Sequence, residues 1–202
     1  MFWDRVAWAY DFFANVINRK ADRALCAAVE RRIAPSDKVL ECACGTGLLT
    51  DAIAPRCKSL VATDFSAKML KRAKRKCKKH GNITFAQANI LQLPYPDGCF
   101  DAVVAANVIH LLDDPYAALH ELERVCKPGG RLIIPTYIKS TLNGVSGVLD
   151  KAGADFKREF TLDTYKRFFA DAGYTDADYT LCTGRVPCAV VVLKTKIAGD
   201  TK

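Results

Sequence analysis

Residues 39–47 read Val39-Leu40-Glu41-Cys42-Ala43-Cys44-Gly45-Thr46-Gly47, an apolar run that ends in an acid and enters a turn with two glycines. The apolar run predicts a buried strand at 38–42, and the residues after the turn predict the start of a helix at 48–53. Glycine is needed where the backbone takes a positive φ or closely approaches a ligand. The stretch therefore predicts a strand–turn–helix unit with a ligand-binding turn at the carboxyl end of its strand.

The alternation of strand and helix patterns continues along the chain. It predicts further strands at 59–63, 83–87, 100–105, 131–138, 178–183 and 188–195, and helices at 66–79, 114–125 and 162–172. Repeated strand–helix units indicate a mostly parallel sheet covered by helices on both faces. The last two strands are joined by the short turn 184–187, which favours antiparallel pairing. We predict an α/β, Rossmann-like, doubly wound fold with a mostly parallel seven-stranded sheet and an antiparallel last strand.

Two segments fall outside this alternation. Residues 1–33 predict a helical N-terminal extension, and large apolar residues cover more than one stripe of its first half, which favours a lid or a helix packed on two sides. Residues 139–160 contain three glycines and are predicted to be a short variable insert. Because no repeat or low-complexity linker interrupts the sequence, we expect residues 1–202 to form a single domain.

The net charge of +8 is concentrated in one segment. Eight cations between residues 68 and 79 have no acid among them, and without them the 30 Lys and Arg fall to 22, equal to the 22 Asp and Glu. Such a helix could contact an anionic membrane or the phosphates of RNA. No aromatic residue is interleaved with the cations, which weakens the case for single-stranded nucleic acid. We favour a solvated helix face, with at most weak membrane contact and no binding of DNA.

The remaining composition narrows the protein class. No apolar run approaches the ~20 residues of a membrane-spanning helix, and Asp4, Arg5 and Asp11 interrupt the apolar core that a secretory signal would need. We therefore expect a cytoplasmic protein. Its nine cysteines are irregularly spaced, and the pair Cys42-x-Cys44 lacks a second close pair, so we predict free thiols and no metal site.

The acids near the turn indicate which cofactor it binds. Asp64 ends the second predicted strand, 17 residues after Gly47, where its carboxylate can accept hydrogen bonds from a ribose diol. The third position of a dinucleotide-binding glycine motif is Thr50. The carboxylate of Glu41 would repel a pyrophosphate but suits a cationic amino-acid group. The residues therefore favour S-adenosylmethionine (SAM) over a nicotinamide dinucleotide.

Several collinear motifs between residues 36 and 138 resemble those of class I SAM-dependent methyltransferases. Residues 41–47 resemble the E/D-x-G-x-G-x-G motif, with Ala43 where the family has its first glycine. Ala62-Thr63-Asp64-Phe65-Ser66 with Met69-Leu70 is similar to the second motif. The resemblance continues through Gln87-Ala88-Asn89-Ile90, Leu93-Pro94-Tyr95-Pro96-Asp97, Phe100-Asp101, Asn107-Val108-Ile109-His110-Leu111 and Lys127-Pro128-Gly129-Gly130. The opening Ala7-x-x-Tyr10-Asp11 resembles the quinone-biosynthesis enzymes within the methyltransferase type 11 group.

The resemblance implies a role for each matching position. Glu41 and the backbone of 45–47 would face the methionine part of SAM, and Asp64 would hold the ribose. Asn89, where the family has an Asp, and Ile90 would contact adenine, whereas Asn107 would lie near the methionine end and Tyr10 would close over the cofactor. The full set of implied cofactor-binding residues is Tyr10, Glu41, Cys42, Ala43, Gly45, Gly47, Asp64, Phe65, Ser66, Met69, Asn89, Ile90 and Asn107.

Two residues are candidates for catalysis. Methyl transfer depends largely on positioning, so no universal catalytic residue is required. His110 could act as a general base because a neutral imidazole is available at pH 7, but we favour a role in the pocket wall. Tyr137, near the end of the fifth strand, either contacts the acceptor or packs in the core. His80 and His120 are expected to be solvated on helix surfaces.

The sequence thus predicts a SAM-dependent methyltransferase that acts on a small, partly apolar molecule and releases S-adenosylhomocysteine, as a monomer or homodimer. Three alternatives stay open: a SAM-binding protein recruited to membranes or RNA by residues 68–79, a phospholipid methyltransferase, and an arsenite methyltransferase. The arsenite alternative rests on Cys42 and Cys44, to which no recognisable motif adds a third cysteine.

Overall fold

The computed structural model describes residues 18–139 and 157–196. The predicted lid in residues 1–17, including Tyr10, lies outside the described residues, as does most of the insert predicted at 139–160. None of the described helices combines the length and the apolar character needed to cross a bilayer.

The described chain alternates between strands and helices as the sequence predicts. The helices are α1 (Arg19–Glu30), α2 (Leu48–Ile53), α3 (Ala67–Lys76), α4 (Pro115–Val125) and α5 (Leu162–Asp171). The strands are β1 (Lys38–Cys42), β2 (Ser59–Asp64), β3 (Ile83–Gln87), β4 (Phe100–Ala105), β5 (Cys126–Tyr137), β6 (Asp178–Cys182) and β7 (Cys188–Lys194). Short 3-10 helices follow α2 at Ala54–Arg56 and β4 at Ile109–Leu111.

Within these residues the strands form one seven-stranded sheet in the order β3-β2-β1-β4-β5-β7-β6. Strands β1 to β5 pair parallel with one another, whereas β7 pairs antiparallel with both β5 and β6. The predicted fold is confirmed, including the antiparallel strand at the end of the chain. The strand order reverses on either side of β1, and such a reversal opens a crevice at the carboxyl ends of the strands.

The bounds of strand β5 and helix α3 differ from the sequence prediction by several residues. Strand β5 begins at Cys126, which pairs with Phe100, and the ladder resumes at Arg131 opposite Ala102, so residues 127–130 form an excursion inside the strand. Thr195 holds this excursion, because its N–H donates to the carbonyl of Gly130 over 3.0 Å and its hydroxyl to that of Lys127 over 2.5 Å. Helix α3 ends at Lys76 rather than Lys79.

Apolar side chains fill both faces of the sheet. Along β1, Leu40 and Cys42 belong to the cluster under α4 and α5, whereas Val39 belongs to the cluster under α1 and α2. This alternation follows from the period of two residues along a strand. Helix α3 packs on the α1 side through Leu70 and Ala73 against Ala62 of β2. Helices therefore cover both faces, as a doubly wound sheet requires.

The start of α1 docks on the turn between β6 and β7. The side-chain oxygen of Asn18, which is 1% exposed, accepts a hydrogen bond of 3.0 Å from the N–H of Val186. In the same turn, a β-carbon added to Gly184 would lie 2.5 Å from the β-carbon of Ala21 and 3.0 Å from its nitrogen. This close approach explains why a glycine occupies position 184.

We expect Gly184→Ala to lower the free energy of unfolding by about 1–3 kcal/mol, because the added methyl group overpacks the contact with Ala21. Urea unfolding monitored by circular dichroism measures the change. Gly81→Ala is the matched control, since nothing lies within 4 Å of its added β-carbon, and its effect should stay within about 0.5 kcal/mol. Equal effects of the two substitutions would contradict the docking of α1 described above.

Candidate active site

A cavity of ≈ 290 Å³ opens at the carboxyl ends of β1, β2 and β4, where the strand order reverses. Its volume lies at the lower end of the range for small-molecule pockets. Nine of the thirteen residues predicted to bind the cofactor line it: Cys42, Ala43, Gly45, Asp64, Phe65, Met69, Asn89, Ile90 and Asn107. The structure thus brings together residues from four separate motifs.

The turn after β1 contains three residues with a positive φ angle, a conformation that glycine adopts most readily. Gly45 and Gly47 have φ angles of 55° and 86°, and Ala43 has a φ of 54°. The N–H of Cys44 donates to the carbonyl of Thr63, 2.9 Å away, which holds the turn beside β2. A left-handed conformation costs a residue with a β-carbon roughly 1–2 kcal/mol. Ala43 therefore holds a conformation that glycine adopts more readily, at a cost in stability.

Asp64 joins this turn to the end of β2. One carboxylate oxygen accepts a hydrogen bond of 2.8 Å from the N–H of Gly45, and the other accepts one of 2.8 Å from the N–H of Ser66. The side chain is 9% exposed and lies in the cavity wall. An ionised carboxylate can accept about four hydrogen bonds, so these two bonds are compatible with further acceptance from a ribose diol.

Ser66 and Gly47, two of the predicted cofactor residues, support the site from outside the cavity lining. The Ser66 hydroxyl caps α3 by accepting from the N–H of Met69 over 3.2 Å, and Met69 lines the cavity. Gly47 precedes α2, and a β-carbon there would lie 3.1 Å from Ala73 and from the sulfur of Cys77. The two residues therefore set the positions of α2 and α3 against the turn.

Glu41 is buried beneath the turn and is not part of the cavity lining. It is 2% exposed, and its carboxyl accepts a hydrogen bond of 2.6 Å from the hydroxyl of Thr50. Burial raises the pKa of Glu41 to about 8, despite the bond from Thr50. Near pH 7 this acid is therefore largely protonated. Thr50, which the sequence marked only as a departure from a dinucleotide motif, is its partner.

Asparagines shape two other parts of the rim. Asn107 has a φ of 52°, and its side-chain oxygen accepts a hydrogen bond of 3.1 Å from the N–H of Tyr137, which joins the ends of β4 and β5. Asn89 is exposed, and its side-chain oxygen accepts from the N–H of Leu91 over 3.0 Å. Asparagine tolerates positive φ better than most residues, which accounts for its presence at position 107.

Neither catalytic candidate is part of the cavity lining. His110 is 4% exposed within the 3-10 helix after β4, and burial, aided by the charge of Arg158, lowers its pKa to about 4. Its imidazole is neutral at pH 7 but is a weak proton acceptor. Tyr137 is partly buried at the end of β5 and packs against the cluster under α1 and α2.

Arg158 is a supporting residue that no sequence motif indicated. Its guanidinium donates to the carbonyls of Leu112 and Ile109 over 2.6 and 3.3 Å, and its backbone N–H donates to the carbonyl of His110 over 3.3 Å. The segment clamped in this way contributes Val108, Leu111 and Leu112 to the cavity wall. The sequence does not identify these three residues as part of a site, because apolar side chains are common in any core. The same holds for Thr63, Ala88 and Ala106 in the same wall.

The prediction for His80 was wrong, whereas His120 is exposed as expected. The His80 side chain is 14% exposed, and its Nε2 lies 2.8 Å from a carboxylate oxygen of Asp51. Because α3 ends at Lys76, the chain after it turns toward α2 and carries His80 to this acid.

Seven of the nine cysteines are buried. Burial raises the pKa of Cys42 to about 12 and that of Cys44 further, so both thiols remain protonated and unsuited to holding arsenite. Among the residues that the structure describes, no three His, Cys, Asp or Glu side chains are grouped as a metal site.

Comparison with known proteins identifies relatives of this chain. The family described as a methyltransferase domain matches residues 40–134. A demethylmenaquinone methyltransferase of Corynebacterium urealyticum is 36% identical over 147 residues, which are 72% of this chain and 62% of the relative. The ubiquinone/menaquinone biosynthesis C-methyltransferase UbiE of Proteus mirabilis is 30% identical over 179 residues, covering 75% of this chain and 71% of the relative. The matched stretch thus spans less than two thirds of the Corynebacterium protein.

Solved structures share the fold. The N-methyltransferase NodS of Bradyrhizobium japonicum, in complex with S-adenosyl-L-homocysteine, superposes with a TM-score of 0.66 at 21% identity, over 86% of each chain.

We expect Ala43→Gly to raise the free energy of unfolding by up to about 1 kcal/mol, because relief of the left-handed strain exceeds the entropic cost of glycine. Ala88→Gly is the matched control: it also lines the cavity, but within the described chain only Ala43 and Asn107 combine a β-carbon with a positive φ. That control should lose stability. Destabilisation of both variants in chemical unfolding would contradict strain at Ala43.

We expect Glu41→Gln to change the pH dependence of stability. The pKa of Glu41 is about 8 in the folded chain against an ordinary value of 4.5. Between these values the unfolded chain ionises and the folded chain does not, so the native protein loses up to about 1.4 kcal/mol per pH unit as pH rises. Glutamine can still accept from Thr50 but does not ionise.

The free energies of unfolding of the two proteins, measured in urea between pH 5 and 8, should therefore diverge in favour of Glu41→Gln as pH rises. Another buried acid, Asp22, has its pKa raised to about 6 by burial. It is present in both proteins and cancels in the difference. Parallel profiles would show that Glu41 ionises as readily in the folded chain as in the unfolded one.

Proposed function

This chain belongs to the class I SAM-dependent methyltransferases, whose cofactor is SAM, and we propose that it transfers the methyl group to a small, partly apolar, quinone-like acceptor. The names of the relatives support this acceptor class, because they include a demethylmenaquinone methyltransferase and a ubiquinone/menaquinone C-methyltransferase.

The observation that carries the proposal is the division of the cavity into two chemical halves. The polar half contains the lining residues Ala43 and Gly45 of the turn and the carboxylate of Asp64, and the apolar half contains Ala106, Val108, Leu111 and Leu112. A polar half suits the ribose and amino-acid parts of SAM, and an apolar half suits an aromatic ring. Since methyl transfer needs the donor and acceptor in line, two adjoining halves of this kind match the reaction.

Individual residues are assigned proposed roles on this basis. Asp64 accepts hydrogen bonds from the ribose, and Asn89 and Ile90 lie at the adenine end with Phe65 and Met69. The backbone of 43–45 and the side chain of Asn107 lie at the methionine end. The left-handed angles of this turn bring the backbone close to the cavity, which agrees with a bound ligand. Glu41 supports the turn from below through Thr50.

When bound, SAM supplies a methyl group on a positively charged sulfur. With Asp64 and the turn after β1 holding the cofactor, this methyl group would be available to a ring carbon of a reduced quinone. The sulfur would keep the electron pair of the broken bond, and the ring proton would pass to water. The chain orients the reactants and excludes competing contacts. His110 is too deeply buried and too weakly basic for this proton, so we assign it to the wall together with Arg158. Tyr137 positions Asn107 through its N–H.

We expect Asp64→Asn to weaken binding of SAM and of S-adenosylhomocysteine about 10- to 100-fold, because a charge-assisted hydrogen bond contributes roughly 1.5–3 kcal/mol. Isothermal titration calorimetry measures both affinities. Asp176→Asn, at an exposed position before β6, is the matched control and should bind normally. Unchanged affinity in Asp64→Asn, with folding verified by circular dichroism, would exclude the ribose role.

We expect the protein to methylate reduced naphthoquinones and not small polar amines. Release of S-adenosylhomocysteine reports each reaction. The apolar half of the cavity can bury a fused ring but offers no charged partner to an amine. A screen of both acceptor classes at equal concentration measures this preference. Turnover confined to polar amines would overturn the quinone-like acceptor while leaving family membership intact.

A further inference from the structure

A row of cations covers the solvent side of α3 and continues past its end. Its members, called here the basic face, are Lys68, Lys71, Lys74, Arg75 and Lys78, all exposed. Met69, Leu70 and Ala73 are buried on the opposite side of the helix. Residues three and four apart share a helix face, so the part of the row from Lys68 to Arg75 extends over about 10 Å at 1.5 Å per residue.

Within the described residues, no acidic side chain forms an ion pair with the basic face. No Asp or Glu occurs between residues 66 and 79, and among the ion pairs of the described chain none involves these five cations. By contrast Lys79, just beyond the row, lies 3.0 Å from Asp51. The basic face is therefore available to an anionic partner.

Two exposed apolar side chains lie at or next to the cavity lining, and one of them, Phe65, precedes the first cation of the basic face by three residues. Phe65, two residues before α3, is 52% exposed and lines the cavity. Leu91, which follows the cavity residue Ile90, is 42% exposed. The carbonyl of Phe65 accepts a hydrogen bond of 2.8 Å from the side chain of Gln87 at the end of β3, which fixes this part of the mouth. Phe65 and Leu91 together are called the apolar rim.

We propose that the basic face and the apolar rim dock this protein on an anionic lipid bilayer, with the cavity mouth at the membrane surface. Each cation near such a surface strengthens partitioning about fivefold, and stable attachment combines a basic patch with an apolar group that inserts. The structure provides both signals, and the first cation of the basic face follows Phe65 by three residues. An apolar acceptor dissolved in the bilayer would then have a short path to the cavity; this last step alone rests on the proposed function.

The arrangement fits a bilayer better than it fits RNA. Proteins that bind single-stranded nucleic acid interleave aromatic side chains with their cations so that bases stack between them. The basic face contains no aromatic residue, and Phe65 lies at its end beside an apolar cavity. An apolar group at the edge of a cation row suits insertion between lipid headgroups.

Vesicle flotation with the full chain tests the proposal. Vesicles of phosphatidylcholine alone are compared with vesicles in which about a third of the lipid is phosphatidylserine. We expect binding only to the anionic vesicles, weakening at least tenfold as salt rises from about 50 to 500 mM because charged contacts are screened. Equal binding to both vesicles, or binding insensitive to salt, would overturn the proposal.

Charge reversal locates the surface. Lys71→Glu combined with Arg75→Glu should weaken binding to anionic vesicles at least tenfold. Lys58→Glu combined with Arg167→Glu changes the net charge equally at exposed positions, before β2 and on α5, and should weaken binding by less than threefold. Leu91→Ser, outside the cavity lining, should weaken it severalfold even in high salt. Equal losses in the two charge-reversal variants would contradict docking through α3.

Two further measurements separate this proposal from its alternatives. Titration with SAM should give the same affinity for the Lys71/Arg75 variant as for the wild type, so a loss of vesicle binding cannot result from a damaged cofactor site. Stronger binding to single-stranded RNA than to anionic vesicles would overturn the membrane proposal. Absence of turnover with reduced quinones would refute only the proposed acceptor and leave the vesicle result unaffected.

Discussion

The carboxylate of Asp64 joins two loops that come from different parts of the sequence. Its two oxygens accept from the N–H of Gly45, in the turn after β1, and from the N–H of Ser66, at the start of α3. The bonds hold the ends of β1 and β2 in register at the reversal of strand order, and the cavity and α3 both depend on that register. A group proposed to bind the cofactor therefore also maintains the site, so cofactor binding and loop order are expected to be coupled.

The turn around this carboxylate contains two features that lower the stability of the fold and that a purely structural loop would not require. Ala43 holds a left-handed backbone angle, and Glu41 is buried with a raised pKa beneath the turn. Strain and buried acids are concentrated at functional sites because binding or chemistry requires groups that packing alone would not select. Both features lie within a few residues of the cavity, and they support the site independently of any resemblance to known proteins.

The opposite wall depends on a clamp between distant segments. Arg158 donates hydrogen bonds to the carbonyls of Ile109 and Leu112, at the two ends of the 3-10 helix that contains His110, and so joins residue 158 to an apolar part of the cavity wall. Burial of the histidine changes its chemistry from proton transfer to packing. The proposed enzyme thus contributes mainly position and exclusion of water, which agrees with a reaction whose electrophile is already activated by a positive sulfur. Docking at a membrane would position the acceptor as well, because an apolar acceptor in the bilayer would then lie close to the cavity.

The alternation of apolar runs and helical periods was sufficient to predict the fold and the bounds of β1, β3 and β4, because these properties depend on local pattern. The position of Gly45 and Asp64 in the cavity wall was likewise predictable, since strand ends of a parallel sheet meet at one edge, whereas Asn107 was indicated only by the resemblance of its motif. Tertiary structure alone decided the rest: the burial of Glu41 against Thr50, the pairing of His80 with Asp51, and the clamp by Arg158. Each of these contacts joins segments that are remote in the chain. The burial that shifts the pKa of Glu41 and His110, and the exposure of the basic face, likewise follow from packing.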